Sequence, residues 1–108
     1  MLRYFSTRDE IVTVSPSEAI IKGLAPDGGL FVPQNLDEIK VDYKKIIKKS
    51  YKGIAREVFV KFFPDLAVHI PEIVKNSYDK KFDSSQITPV AGKDGAYFLE
   101  LFHGPTCA

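Results

Sequence analysis

The sequence predicts a small α+β fold, and three observations carry that prediction. Short runs of aromatic and β-branched residues stand near the start, at Tyr4-Phe5-Ser6-Thr7 and Ile11-Val12-Thr13-Val14. The apolar period then becomes helical between Tyr43 and Tyr78, and a strand–turn–strand pattern follows from Ile87 to Phe102. At 108 residues one domain is the default expectation, able to bury about two thirds of its unfolded surface without a metal or disulfide.

Each element has a local reason. After the two N-terminal strands, Ser15-Pro16-Ser17-Glu18 is a helix start. Ser15 can accept from the amide three residues on, Glu18 can reach back, and proline suits the first helical position. Gly23 fits the stop, so this helix runs for roughly two turns. Ala25-Pro26-Asp27-Gly28-Gly29 reads as a turn, and Leu30-Phe31-Val32-Pro33 as a short buried strand ended by proline. A helical segment at Tyr43 to Lys49 should turn Ile46 and Ile47 inward. Ser50 then caps a helix whose apolar face is Ile54, Ala55, Val58, Phe59 and Phe62, closed by Pro64. Pro71 opens a third helix with Ile73, Val74 and Tyr78 as its stripe and Glu72 near its positive end. Finally, Ile87 to Ala91 and Ala96 to Phe102 flank Gly92-Lys93-Asp94-Gly95, a hairpin loop. Tyr97, Leu99 and Leu101 share one face, and Phe98, Glu100 and Phe102 the other. Only Glu100 is polar, so both faces call for cover.

Composition narrows the function classes. Hydrophobic residues make up 44% and charged ones 27%, and 15 Lys plus Arg against 14 Asp plus Glu leave a net charge of +1. That balance argues against a nucleic-acid or membrane-surface partner. The basic stripe of Lys40, Lys44, Lys45, Lys48, Lys49 and Lys52, interleaved with Tyr43 and Tyr51, is better read as a solvated helix face. A single cysteine, the lack of a long apolar run and an N-terminus without signal-peptide features point to a cytoplasmic location.

Candidate chemistry is sparse. His69, His103 and Cys107 are the soft metal ligands, but Pro105 breaks the spacing between the last two, and no metal site is expected. Cys107 lacks an activating partner. Asp27-Gly28-Gly29 could form an anion-binding nest, but no basic residue or helix start accompanies it, so a tight turn is the better reading. His103-Gly104-Pro105-Thr106 admits two readings. It is either loop punctuation or a strand-end loop in which His103 and Thr106 could bond a ligand and Gly104 could let backbone approach it.

Three separated stretches bear on that choice: Tyr4-Phe5-Ser6-Thr7-Arg8, Gly23 to Pro33, and Glu100-Leu101-Phe102-His103-Gly104-Pro105-Thr106-Cys107-Ala108. In this order they resemble the threonine synthase family, whose motifs read YxSTR, GLAPDGGL followed by Phe or Tyr and Val-Pro, and ELFHGPT followed by Leu or Cys and Ala. Cys107 stands where leucine is commoner, and Leu36 to Ser85 carry no diagnostic residue.

The resemblance implies a pyridoxal 5′-phosphate (PLP) enzyme of fold type II that converts O-phospho-L-homoserine and water into L-threonine and phosphate. The cofactor serves such a lyase as an electron sink. In that family the last stretch continues as Phe-Lys-Asp, whose lysine holds PLP. This sequence does not reach it, so the expectation is an N-terminal portion that is inactive alone and binds no PLP. On this reading residues 1–85 are a small helical accessory domain with short strands. Residues 86–108 are a β-hairpin leading into an α/β PLP-binding core contributed by the remainder of the same polypeptide. The resemblance makes His103, Gly104 and Thr106 active-site neighbours and assigns no catalytic residue within the chain. Left alone, the hairpin would favour self-association or a disordered tail. Two alternatives remain: a threonine-synthase-like protein acting on another phosphorylated substrate, and a free-standing interaction module that uses the hairpin edge.

Overall fold

Tyr4–Ser6 (β1) is the middle strand of a three-stranded antiparallel sheet, flanked by Asp9–Val14 (β2) and Phe31–Pro33 (β3) in the order β2-β1-β3. The computed structural model describes residues 1–105. Tyr4 faces Val14 and Pro33, and Phe5 faces Thr13 and Val32. The register then jumps so that Ser6 meets Asp9, which throws Glu10, Ile11 and Val12 out of the ladder as a bulge. Ile11 is consequently 91% exposed. Leu30 was expected to be buried but is 60% exposed, and Phe31–Pro33 is only half-buried, because β3 is an edge strand with cover on one side. Pro33, which has no N–H to give a ladder, is tolerated there because it ends an edge strand.

Pro16–Lys22 (α1) starts as its sequence predicts. The Ser15 side chain accepts from the Glu18 amide while Glu18 reaches back to the Ser15 N–H, and Gly23 ends the helix at φ 69°. The Ser17 amide, another N-terminal orphan, donates to the Asp65 carboxylate at 3.0 Å from 48 residues away.

Tyr43–Ile46 (α2) is a single turn, too short to turn both isoleucines inward: Ile46 is half-buried and Ile47 is 66% exposed. Tyr51–Phe62 (α3) begins at Ser50, whose hydroxyl accepts from the Gly53 amide, and stops before Pro64. Ala55 is its buried residue, with Ile54, Val58, Phe59 and Phe62 half-buried around it. Ile70–Ser77 (α4) begins one residue earlier than expected. Ile70 and Val74, four apart, fill the interior, whereas Ile73 is 40% exposed.

Two apolar clusters result. Leu2, Tyr4, Val14 and Ala19 form one beneath the sheet, and Ala55, Ile70 and Val74 form the other between α3 and α4. Phe63 packs against both. Its ring stacks on Tyr4 at 6.3 Å and meets Phe59 edge-on at 6.4 Å. The Tyr4 hydroxyl donates to the Phe62 carbonyl at 2.9 Å, and burial, followed by the charge of Asp65, pushes its pKa up.

The C-terminal hairpin pairs Val90–Lys93 (β4) with Ala96–Leu99 (β5). Its loop is Asp94-Gly95 alone, with φ of 52° and 77°, and Gly92 and Lys93 belong to the ladder rather than the loop. Two consecutive positive φ angles match the right-handed twist of paired strands, and Asp-Gly tolerates them best. Ile87 to Pro89 stay outside the ladder, although the Pro89 carbonyl accepts from the Glu100 amide. Both faces of the hairpin are uncovered: Tyr97 is 84% exposed and Phe102 72%. The radius of gyration is 16.3 Å, against about 13 Å for a compact chain of this length. No helix among the described residues is long and apolar enough to cross a membrane.

Replacing Phe63 with alanine should lower unfolding free energy by about 3 kcal/mol, the smaller end of the range for a large aromatic because the ring is only half-buried. Ile73→Ala should cost less than about 1 kcal/mol. Urea denaturation followed by circular dichroism compares the two, and equal costs would show that Phe63 does not join the clusters.

Candidate functional site

Two loops far apart in sequence lock together at one end of the sheet. The turn Ser6-Thr7-Arg8 joins β1 to β2, and Ala25 to Gly29 joins α1 to β3. Because β1 lies between β2 and β3, both turns emerge side by side. Ser6 is 5% exposed, and its hydroxyl donates to Asp27 Oδ1 at 2.7 Å while accepting from the Arg8 amide at 3.1 Å. The same Asp27 oxygen accepts from the Gly29 amide at 2.8 Å, and Arg8 Nη1 donates to the Asp27 carbonyl at 2.9 Å. Thr7 and Leu30 exchange two bonds, amide to carbonyl at 2.8 Å and Leu30 amide to Thr7 hydroxyl at 3.0 Å. Gly29 is required by close approach, since a Cβ there would stand 2.1 Å from Ser6 Oγ. The bonds from Ser6 and Gly29, in that order, hold the Asp27 carboxyl below its ordinary pKa, with Arg8 contributing.

This arrangement decides the question of an anion nest. The Gly28 amide donates to the Ala25 carbonyl at 2.9 Å and the Gly29 amide to Asp27, so the turn's donors already hold the chain's own acceptors. A cleft of about 140 Å³ opens beside the clamp, lined mainly by Val12, Val14, Ala25 and Phe31, with Lys22 and Asp27.

His103 follows the hairpin, and the structure surrounds it with carboxylates. Its Nδ1 lies 2.6 Å from Asp83 Oδ1 and its Nε2 lies 2.6 Å from Glu100 Oε2. The hydrogen bond from Glu100, then that from Asp83, raises the imidazole pKa above its ordinary value, outweighing the effect of burial. The Asp83 amide also donates to the His103 carbonyl at 3.0 Å. Gly104 serves close approach, but to a protein ring: a Cβ there would stand 2.6 Å from Phe82. Thr106 and Cys107 lie outside the described residues. His103 and Gly104 therefore share one site, built with three residues that sequence reasoning missed: Phe82, Asp83 and Glu100. Only Glu100 carried a signal, as the one polar residue on its strand face.

The basic stripe is interleaved with carboxylates. Lys40 pairs with Asp37 at 2.6 Å, Lys45 with Asp42 at 3.6 Å, and Lys49 with Glu57. All twelve lysines lie on the surface, with Lys52 alone half-buried. No group of three or more His, Cys, Asp or Glu among the described residues could hold a metal ion.

Comparison with known proteins places this geometry in a family. A family model described as "Threonine synthase N terminus" matches residues 3–78. The threonine synthase of Schizosaccharomyces pombe is 39% identical over 110 residues, which is 97% of this chain and 21% of that protein. The Saccharomyces cerevisiae enzyme is 34% identical over 119 residues, covering 97% of this chain and 22% of its own length. "Threonine synthase-like 1" of Homo sapiens is 38% identical over 96 residues, 83% of this chain and 13% of that protein. The crystal structure of PLP-bound threonine synthase from Brucella melitensis superposes with a TM-score of 0.79 at 32% identity, over 97% of this chain and 23% of that one. The chain thus spans about a fifth of the length of the first of these relatives.

The clamp generates two expectations. Gly29→Ala should destabilise the protein, and by less in a Ser6→Ala background, where the colliding hydroxyl is gone; additive costs in denaturant melts would contradict the geometry. Asp27, with its carboxyl pKa lowered, contributes stability that is complete above the unfolded value of about 4 and is lost as pH falls through the folded one. Asp27→Asn should flatten stability between pH 5 and pH 3, measured by urea midpoints, relative to the unsubstituted protein.

Proposed function

The chain belongs to the threonine synthase family, whose N-terminal region it matches, and from that premise we propose that it is the N-terminal part of a PLP-dependent carbon–oxygen lyase. The reaction is the conversion of O-phospho-L-homoserine and water to L-threonine and phosphate, in the cytoplasm. The observation that carries the reading is the joint match in sequence and shape, across 97% of the chain, to threonine synthase crystallised with PLP.

The described residues supply architecture to this reaction, not covalent chemistry. Residues 1–85 act as the accessory domain, with the Ser6–Asp27 clamp setting the loop that borders the active site. Residues 86–108 begin the catalytic domain. The hairpin delivers His103, Gly104 and Thr106 next to the cofactor site, and its bare apolar faces pack against the remainder of the polypeptide. Two features support the boundary: the molecule is elongated, 47 by 28 by 28 Å, and the hairpin is exposed on both faces. A second reading is favoured by the 38% identity to "Threonine synthase-like 1". On that reading the same scaffold serves another phosphorylated substrate.

Phosphate release from O-phospho-L-homoserine by the full natural chain decides between them. Threonine and phosphate in equal amounts are expected. Phosphate released only from other phosphate esters would favour the second reading, and no release from any would overturn both. Residues 1–108 alone should show no saturable, borohydride-reducible visible band with PLP; such a band traced to one lysine would contradict the division of labour.

A further inference from the structure

An ionised carboxylate only accepts hydrogen bonds, and a neutral imidazole carries one N–H and one lone pair. Yet each ring nitrogen of His103 lies 2.6 Å from a carboxylate oxygen, Asp83 on one side and Glu100 on the other. With the ring neutral, one of these contacts would set two lone pairs against each other. With the ring doubly protonated, both become short charge-assisted bonds. The geometry is therefore that of an imidazolium held between two anions.

The three residues come from two parts of the chain. Glu100 and His103 belong to the end of the hairpin, while Asp83 lies in the connection after α4. Among the described residues, apart from the local bond from the Gln86 amide to the Ser84 hydroxyl, the hydrogen bonds that join residues 86–105 to residues 1–85 run between Asp83 and His103. We infer that Asp83, His103 and Glu100 form a proton-operated latch that fastens the base of the β4–β5 hairpin to residues 79–85 and loosens it when the imidazole gives up its second proton.

The contact that yields is the one to Asp83. A neutral ring keeps one N–H for one partner. Asp83's side chain is 74% exposed and rehydrates readily, whereas Glu100's is 26% exposed and lies only three residues away. The charged groups acting on the imidazole are Asp83 from the connection and Glu100 from the hairpin; the ring beside it, Phe102 at 4.6 Å, is neutral. Because the His103 pKa is raised on folding, the latch is fully closed below the ordinary histidine value of about 6.5 and is lost as pH rises through the folded-state value. No cofactor or substrate takes part, so the latch stands independently of the reaction the protein performs.

Tryptic nicking of the full chain after Lys80 and Lys81, in the exposed connection, reads the latch directly by mass spectrometry. Comparison with His103→Gln at each pH cancels the pH dependence of the protease. The unsubstituted protein should be nicked about two- to fivefold more slowly than the variant at pH 6, the range of a solvent-screened ion pair. The two should be nicked equally at pH 9. Asp83→Asn should match His103→Gln at both values, and Glu100→Gln should keep a pH dependence whose midpoint is lower. A rate ratio that stays constant from pH 6 to pH 9, or an Asp83→Asn protein that retains the unsubstituted profile, overturns the latch.

Discussion

The aromatic ring of Phe63 is the constraint on which the rest of this structure depends. It belongs to both apolar clusters, the one under the sheet and the one between α3 and α4. Neither cluster holds more than four fully buried residues, so neither would be stable alone. The chain places Phe63 by ending α3 at Phe62, where Pro64 forbids another turn. The ring then swings onto Tyr4, and the Tyr4 hydroxyl takes the carbonyl that the helix end leaves free. Helix termination and sheet packing are thus one event. The Ser17–Asp65 bond adds a second tie at the same corner, joining the start of α1 to the turn after α3.

From that corner the sheet sets the clamp. A central β1 forces the loops before β2 and before β3 to emerge together, which lets Ser6 reach Asp27 across 21 residues. The buried hydroxyl and the carboxylate satisfy one another and the Gly29 amide, so a glycine-rich turn becomes rigid without binding any ion. The opposite holds at the far end. The hairpin has regular strands and a well-formed turn but no core, and it is tied to the body by the Asp83–His103 side-chain and backbone bonds and by the approach of Gly104 to Phe82.

Much of the local structure was legible. The capping box at Ser15 and Glu18, the Ser50 cap, the Pro64 stop and the Gly23 exit all depend on residues within four positions of one another. The hairpin loop was placed correctly but read too long, because Gly92 is compatible with a loop and with a strand; twist chose the shorter turn. Inward faces were read less well. Ile47, Leu30 and Ile73 fit apolar periods but are exposed, since a period predicts a face only when another element covers it. Of the cluster around His103, the motif singled out His103 and Gly104. Asp83 and Phe82 were missed because they lie in a connection without periodicity.

What the sequence by itself determined is therefore the set of elements, their caps and stops, and the family, each carried by residues that act over a few positions or by motifs kept in order. What only the tertiary structure decided is which of those residues meet: Phe63 with two cores, Ser6 with Asp27, and His103 with Asp83 and Glu100. The physical reason is range. Capping and turn chemistry act within one or two turns of chain, whereas the pairings of Tyr4 with the end of α3, Ser6 with Asp27 and Asp83 with His103 join residues 20 to 60 positions apart, and chain topology alone brings them within hydrogen-bonding or stacking distance.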